Sequence, residues 1–358
     1  MSVPLSACVD RRDAHFNLLR MVAASAVLFS HCFALTAGTG DVEPFKAALG
    51  LSLGSMAVDV FFVTSGFLVC GSLLARQDLR AFARSRALRI FPALAVATPL
   101  TLLVIGLGFT TLPAAAFLRD SGTWLFVVKD LSLLFGVRTR LPGVFEQLPY
   151  PVLVNGSLWT LPYEIRLYLG LGLLWWAGRA WGGRHAAAVF RAAVLTIALG
   201  AMAAFLLLLD GEQASLRFTA LFATGASFYL LRERVPMSWP LWAACALALG
   251  LSTLHRDAFF VVYHLVLAYL TLGLAYAPAR RLLQYNRLGD YSYGVYIYAF
   301  PVQQALIALR PSISAWALLP LAGALSLLLA VLSWHLVEKV ALDHKAARPA
   351  PAGALNAR

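Results

Sequence analysis

Arg20 and His31 stand eleven residues apart in the otherwise apolar stretch Phe16–Ala37. On a helix of 3.6 residues per turn that spacing is about three turns. Both side chains therefore leave one face, roughly 16 Å apart along the axis. A charged side chain at mid-membrane costs about 2.5–3.5 kcal/mol on insertion scales, so each one in an apolar span is a functional candidate. The plain alternative is that Arg20 snorkels to the headgroups and His31 bonds a neighbouring helix. These two residues alone do not decide between the readings.

Further candidates follow in chain order. Asp59 puts a carboxylate into the next apolar run, and the small Ser65-Gly66 step lies six residues on, where another helix or a ligand could approach. Arg86 and Arg89, spaced i, i+3, lie on one helical face and suit phosphate oxygens. Topology marking and contact with anionic lipid account for the neighbouring Arg76 and Arg80, but not for a pair set immediately before Ile90-Phe91-Pro92. Glu164 opens another apolar run close to Trp159 and Tyr163, a combination fit for a sugar or for a structural helix contact. Its neighbour Arg166, two residues on, does not face it.

The elements that must position these residues are membrane helices. The chain has 358 residues, 60% hydrophobic and 13% charged, with a mean hydropathy of +0.75. A soluble domain carries about 25% charged residues. The apolar runs are long enough to cross roughly 30 Å of hydrocarbon, and the alternation of a β-barrel is missing. The expectation is an all-α polytopic bundle of about ten spans. These are Phe16–Ala37, Leu51–Ala75, Ile90–Phe109, Leu158–Ala177, Ala186–Leu209, Leu216–Leu231, Met237–Leu254, Ala258–Ala277, Tyr291–Leu309 and Ala315–Val337. The apolar piece Trp124–Val137, broken by Lys129 and Asp130, is too short to span and reads as re-entrant or interfacial.

Most of the 29 Lys and Arg fall on the side of the N-terminus, so both termini are expected in the cytoplasm. The net charge of +12 is then a topology signal and not a nucleic-acid face. Arg11 and Arg12 precede a first run too long for a cleaved leader. Four cysteines show neither a disulfide framework nor a zinc pattern, no P-loop or dinucleotide fingerprint is present, and no metal site is expected. Residues 1–342 form the membrane domain, and 343–358, rich in Ala, Pro and Arg, read as a disordered cytoplasmic tail.

With these residues in view the chain resembles the acyltransferase-3 family of bacterial membrane O-acyltransferases, which modify O-antigen, capsule, exopolysaccharide and nodulation factors. Five pieces carry the resemblance. They are Asn17-Leu-Leu-Arg20 leading to His31; Asp59-Val-Phe-Phe-Val-Thr-Ser-Gly-Phe-Leu68; Arg86-Ala-Leu-Arg89-Ile-Phe-Pro92; Asn155-Gly-Ser-Leu-Trp159-Thr-Leu-Pro-Tyr-Glu164; and the closing pair Leu288-Gly-Asp-Tyr-Ser292 with Ser333-Trp-His-Leu-Val-Glu338. One departure stands out. Many members carry a second histidine where Ala299 stands here, so any role for that imidazole is lost or moved.

The resemblance implies a cytoplasmic acyl-CoA donor, usually acetyl-CoA, as co-substrate, with no resident cofactor. Arg86 and Arg89, helped by Arg20 and the Ser65-Gly66 step, would hold the donor. Its thioester would reach outward towards His31, as general base or acyl carrier. Histidine suits this because its ordinary pKa of about 6.5 lies near working pH. Asp59 or Glu164 would orient the ring, and Trp159 and Tyr163 would face the acceptor, a glycan or lipid-linked glycan. The protein would be a multi-pass protein of the bacterial inner membrane, with lipid and, as an open option, a second copy of itself as partners. The competing classes are a transporter or flippase and a non-catalytic subunit of a polysaccharide-synthesis complex. No paired Gly/Pro-interrupted segments of the kind that mark inverted repeats favour the transporter.

Overall fold

Apolar runs in hydrocarbon must satisfy their backbone groups internally, and helices do this within one segment. The computed structural model describes residues 2–10, 14–133, 135–208, 213–279 and 281–346. Arg11, Arg12, Leu209 and the part of the expected tail after Ala346 lie outside the described residues. The helices used below are α1 (Phe16–Ala37), α2 (Leu53–Arg76), α3 (Leu79–Leu100), α4 (Ser121–Ser132), α5 (Leu161–Trp181), α6 (Ala186–Leu208), α7 (Ala214–Leu230), α8 (Trp239–Ser252), α9 (Arg256–Ala275), α10 (Ser292–Leu309) and α11 (Ala315–Ser333).

Each of the ten expected spans contains a helix, but among the described residues six are long and apolar enough to cross a membrane: α1, α2, α6 with its lead-in turn, α9, and the extended forms of α3 and α11. The other four fall short for local reasons. With 17 and 14 residues, α7 and α8 reach about 25 and 21 Å, less than the hydrocarbon thickness. Glu164, Arg166 and Arg179 interrupt α5, and α10 carries tyrosines and glutamines on a nearly wholly buried surface.

Helix α3 corrects the expected layout. It starts at Leu79, so Arg80, Arg84, Arg86 and Arg89 occupy its first turns and not a loop. It runs through Pro92 and Pro99 and continues as a wider π-type turn over Thr101–Gly106 to Phe109. Proline removes a backbone donor, and the widened turn just beyond Pro99 is a common local adjustment to such a gap. Likewise α11 continues through a π-type turn, Trp334–Glu338, into Lys339–Ala346.

Small residues set the closest crossings. A Cβ on Gly66 would stand 1.9 Å from the Phe222 carbonyl oxygen, and one on Gly225 would stand 2.1 Å from that of Val63, so α2 and α7 touch backbone to backbone. Gly294 meets Ala330 in the same manner between α10 and α11. Large apolar side chains such as Leu199, Leu207, Leu247 and Leu328 point outward, as a lipid-facing surface requires.

Two further contacts tie segments outside the long helices to the bundle. A two-residue strand, Val3–Pro4, pairs antiparallel with Pro236–Met237, which pins the N-terminus to the α7–α8 link. After α4 the chain turns inward. The Asn155 side chain donates to the Ile297 carbonyl at 2.9 Å, and Gly156 lies against the Phe300 ring. Both partners are in the middle of α10, so the segment 153–160 enters the bundle ahead of α5, and α4 packs at the same place, its buried Phe126 lying among Leu94, Ala97, Asn155 and Ile297.

Candidate functional site

A cavity of about 280 Å³ runs between α1, α2, α3, α5 and α10. Its basic end carries Arg20, Arg86 and Arg89. Arg20 Nη1 lies 3.2 Å from Asp290 Oδ2, and Arg89 Nη2 donates to the same oxygen. Arg89 Nη1 also lies 3.9 Å from Glu338. Burial by itself would raise the Asp290 carboxyl; Arg89, then Arg20, and the hydrogen bonds from Ser292 overcome that and hold it at about 2. Two arginines thus share one anion, which locks their heads in place.

Arg86 is different. Its Nη2 donates to Ser85 Oγ at 3.0 Å and its guanidinium sits 5.9 Å from the centre of the Tyr168 ring, while Nε is buried without a partner among the described residues. No described carboxylate makes an ion pair with it. A guanidinium lining a cavity with donors to spare suits an anion.

The middle of the cavity is built by α2 and α5. Pro162 at the start of α5 suits a first turn, where its missing N–H costs nothing. Glu164 in that turn favours the positive end of the helix dipole. Tyr168, four residues on, falls on the same face and donates to Glu164 Oε1. Ser65, midway along α2, lies 2.9 Å from the Tyr168 hydroxyl and 3.3 Å from the same carboxylate oxygen. Beyond these groups the wall becomes Val58, Phe61, Phe62 and Leu161, closed by Thr160 and Tyr296. The Thr160 and Tyr296 hydroxyls lie 2.6 Å apart, and Tyr296 donates to the Ser157 carbonyl at 2.8 Å.

His31 lies past that closure. Its ring meets Phe300 edge-on at 5.1 Å, and Phe300 is one turn beyond Tyr296 on α10. It is not among the cavity-lining residues, and its Nδ1 is buried without a partner among the described residues.

Several expected placements need correction. Asp59 is turned away from His31 and is held by Arg217 of α7, with bonds of 2.8 and 2.6 Å; the Tyr263 hydroxyl donates to it at 3.1 Å and His264 Nε2 lies 3.8 Å away. Gly66 does not line the cavity, because the backbone of α7 occupies the space beside it. Glu164 lies on Ser65 inside the cavity and not at the outer end of a span, because the segment 153–160 enters the bundle ahead of α5. Trp159 and Tyr163 meet edge-on at 5.9 Å and both contact the Phe218 ring, outside the cavity lining. The structure brings together Arg20, Arg86, Arg89, Ser65 and Glu164, and leaves His31, Asp59, Gly66, Trp159 and Tyr163 out of that wall.

Four partners escaped the sequence reading. Asp290 and Glu338 stood inside the closing-helix motifs without a role, and Tyr168 was legible as the i+4 neighbour of Glu164. Arg217 is the second residue of the expected span Leu216–Leu231, where a basic side chain is ordinary.

A family model described as an acyltransferase domain matches residues 13–335. The chain is 29% identical over 341 residues to the "O-acetyl transferase" of Shigella phage Sf6, covering 90% of this chain and 94% of that protein. It is 29% identical over 359 residues to "Nodulation protein 10" of Rhizobium leguminosarum bv. viciae, covering 92% and 93%. No solved structure matches. A helical membrane bundle whose arginine-lined cavity is assembled from the motifs at Arg20, Arg86–Arg89, Ser65 and Glu164, and which matches that model over nearly its whole length, belongs to the acyltransferase-3 family of membrane O-acyltransferases.

Proposed function

We propose that the protein moves an acyl group, in the first instance acetyl, from acyl-CoA in the cytoplasm to a hydroxyl of an exported or cell-surface glycan. The observation that carries this reading is the cavity: it holds Arg86, a half-buried guanidinium with no carboxylate partner among the described residues, and reaches the Tyr296–Thr160 pair, one helical turn from the Phe300 ring that His31 touches. Donor phosphates bind Arg86, with Arg20 and Arg89 held beside it by Asp290. The thioester arm lies along α2, and its acyl end reaches the Tyr296–Thr160 closure.

His31 acts from the far side of that closure. Its imidazole takes the proton of the acceptor hydroxyl as the oxygen attacks the thioester carbonyl. The tetrahedral adduct then collapses and the CoA thiolate leaves, a leaving group that needs little acid assistance. General-base help of this kind contributes about 10²- to 10⁴-fold. The same placement serves an acyl-histidine intermediate. The basic end is the cytoplasmic one by the distribution of Lys and Arg, and the name of one relative, an O-acetyl transferase, fits transfer of an acetyl group to an oxygen.

The test uses the full chain in nanodiscs with labelled acetyl-CoA. Thioester turnover that needs both Arg86 and His31 is the expected result. Turnover that is absent, or indifferent to both substitutions, would overturn the reading.

A further inference from the structure

The polar groups of the cavity are sorted by type along its length. The basic end offers the guanidinium donors of Arg20, Arg86 and Arg89. Beside them Ser85 bonds Arg86 and Ser292 bonds Asp290; the middle offers the Glu164 carboxylate with the Ser65 and Tyr168 hydroxyls, Thr64 and Tyr293 donate theirs to backbone carbonyls, and the far part is apolar up to Tyr296 and Thr160. Along α2 the lining runs from Val69 to Val58, a rise of roughly 16 Å.

A carboxylate in the same cavity as an anion site repels an anion, so the ligand must change character between the two. Both internal bonds of Glu164, from Tyr168 and Ser65, converge on Oε1, and no described residue donates to Oε2. Glu164 is half-buried in the cavity lining, so this second oxygen is open to an N–H or O–H from a ligand. The Ser65 proton is shared between Tyr168 and Glu164, and it can turn to a ligand carbonyl while Tyr168 still saturates Oε1.

A molecule that fits this order has phosphates, then amides, then a small apolar acyl end. We propose that Glu164, Tyr168 and Ser65 form the subsite that reads the amide-bearing pantetheine arm of the donor. Glu164 Oε2 accepts from an amide N–H, Ser65 donates to an amide carbonyl, and Tyr168 holds the carboxylate in place while its ring backs Arg86. This assignment rests on the acyl-CoA reading above. It makes Glu164 a donor-binding group, on the donor side of the Tyr296–Thr160 closure.

The experiment follows thiol release by the full-length protein in nanodiscs from three acetyl donors: acetyl-CoA, acetyl-pantetheine, which lacks the nucleotide, and the acetyl thioester of a simple alkanethiol, which lacks the amides as well. The wild type should prefer acetyl-pantetheine to the alkyl thioester by about ten- to a hundred-fold in kcat/KM. Glu164→Gln should collapse that preference, whereas Arg86→Ala should keep it and reduce only the advantage of acetyl-CoA over acetyl-pantetheine. Tyr168→Phe retains the ring against Arg86 and is read in the same way if Glu164→Gln does not accumulate. If both variants slow all three donors by one common factor, the subsite is overturned while the acyl-CoA reading stands. If the wild type turns over none of the donors, the acyl-CoA reading fails and the subsite falls with it.

Discussion

Arg217 grips Asp59 at two points, Nε to Oδ1 at 2.8 Å and Nη2 to Oδ2 at 2.6 Å, across the tight crossing of α7 and α2. The Asp59 side chain is fully buried, so removing either partner strands a charge. Such a break costs about 3–5 kcal/mol, whereas replacing both partners with apolar groups can be neutral. Asp59→Ala and Arg217→Ala should each lower the thermal midpoint of the solubilised protein. The double variant Asp59→Leu with Arg217→Met should recover much of the loss. Acyl transfer that returns with stability in the double variant marks Asp59 as structural; transfer that stays absent from a stable double variant would assign it to the chemistry.

His31→Ala should abolish acyl transfer while the protein still inserts and accumulates, because its ring makes an aromatic contact but no hydrogen bond among the described residues. Glycan acylation in cells and protein level by immunoblot are measured together. Normal acylation at normal levels would remove His31 from the mechanism.

The two arginines of the α3 pair should separate. Arg86→Ala should raise the KM for acetyl-CoA about ten- to a hundred-fold, the worth of a charge-assisted contact to phosphate, with little loss of stability. Arg89→Ala strips Asp290 of its main partner and should lower both stability and yield. The Asp290 carboxyl is held near 2. Its contribution is therefore fully present above the unfolded value of about 3.9 and is lost only as pH falls through the folded one. Donor binding should then show no Asp290-dependent change between about pH 5 and 8. Equal KM effects with equal stability in the two variants would contradict the division of labour.

Asp130 on α4 sets up a pH dependence of the opposite sign. One oxygen accepts the Arg138 backbone N–H at 2.8 Å, and the other is buried without a partner among the described residues. Burial pushes this carboxyl up to about 7, against the pull of the Arg138 bond. The folded protein then keeps a proton that the unfolded chain has already lost. Stability therefore falls as pH rises from about 4 through about 7, by up to about 1.4 kcal/mol per pH unit, and is level beyond. The thermal midpoint of the wild type should drop over that interval relative to Asp130→Asn, and parallel curves for the two proteins would rule the effect out.

Sidedness is tested with single cysteines in a cysteine-free background. Asp41→Cys and Glu146→Cys should react with a membrane-impermeant thiol reagent in intact spheroplasts, and Gln77→Cys only after the membrane is opened. All three positions are exposed. Labelling of Gln77→Cys from outside would invert the orientation and put the basic end of the cavity where acyl-CoA is not expected.

The helical membrane class, the positions of the main helices and the pairing of Arg86 with Arg89 on one helical face were legible in the sequence. Those properties are local: hydrophobic run length, charge distribution and i, i+3 geometry are written in consecutive residues. The residues that share the cavity were named piecemeal by the same motifs, but their grouping was not. Glu164 was misplaced because a short buried segment, 153–160, carries the start of α5 into the bundle, and nothing in its own composition marks that depth. Asp59 found Arg217, 158 residues away, and Arg89 found Asp290, 201 residues away. A buried charge is satisfied by whichever opposite charge the packing brings within reach, and that choice belongs to the tertiary structure, because small-residue crossings such as Gly66 on Phe222 decide which helix faces meet.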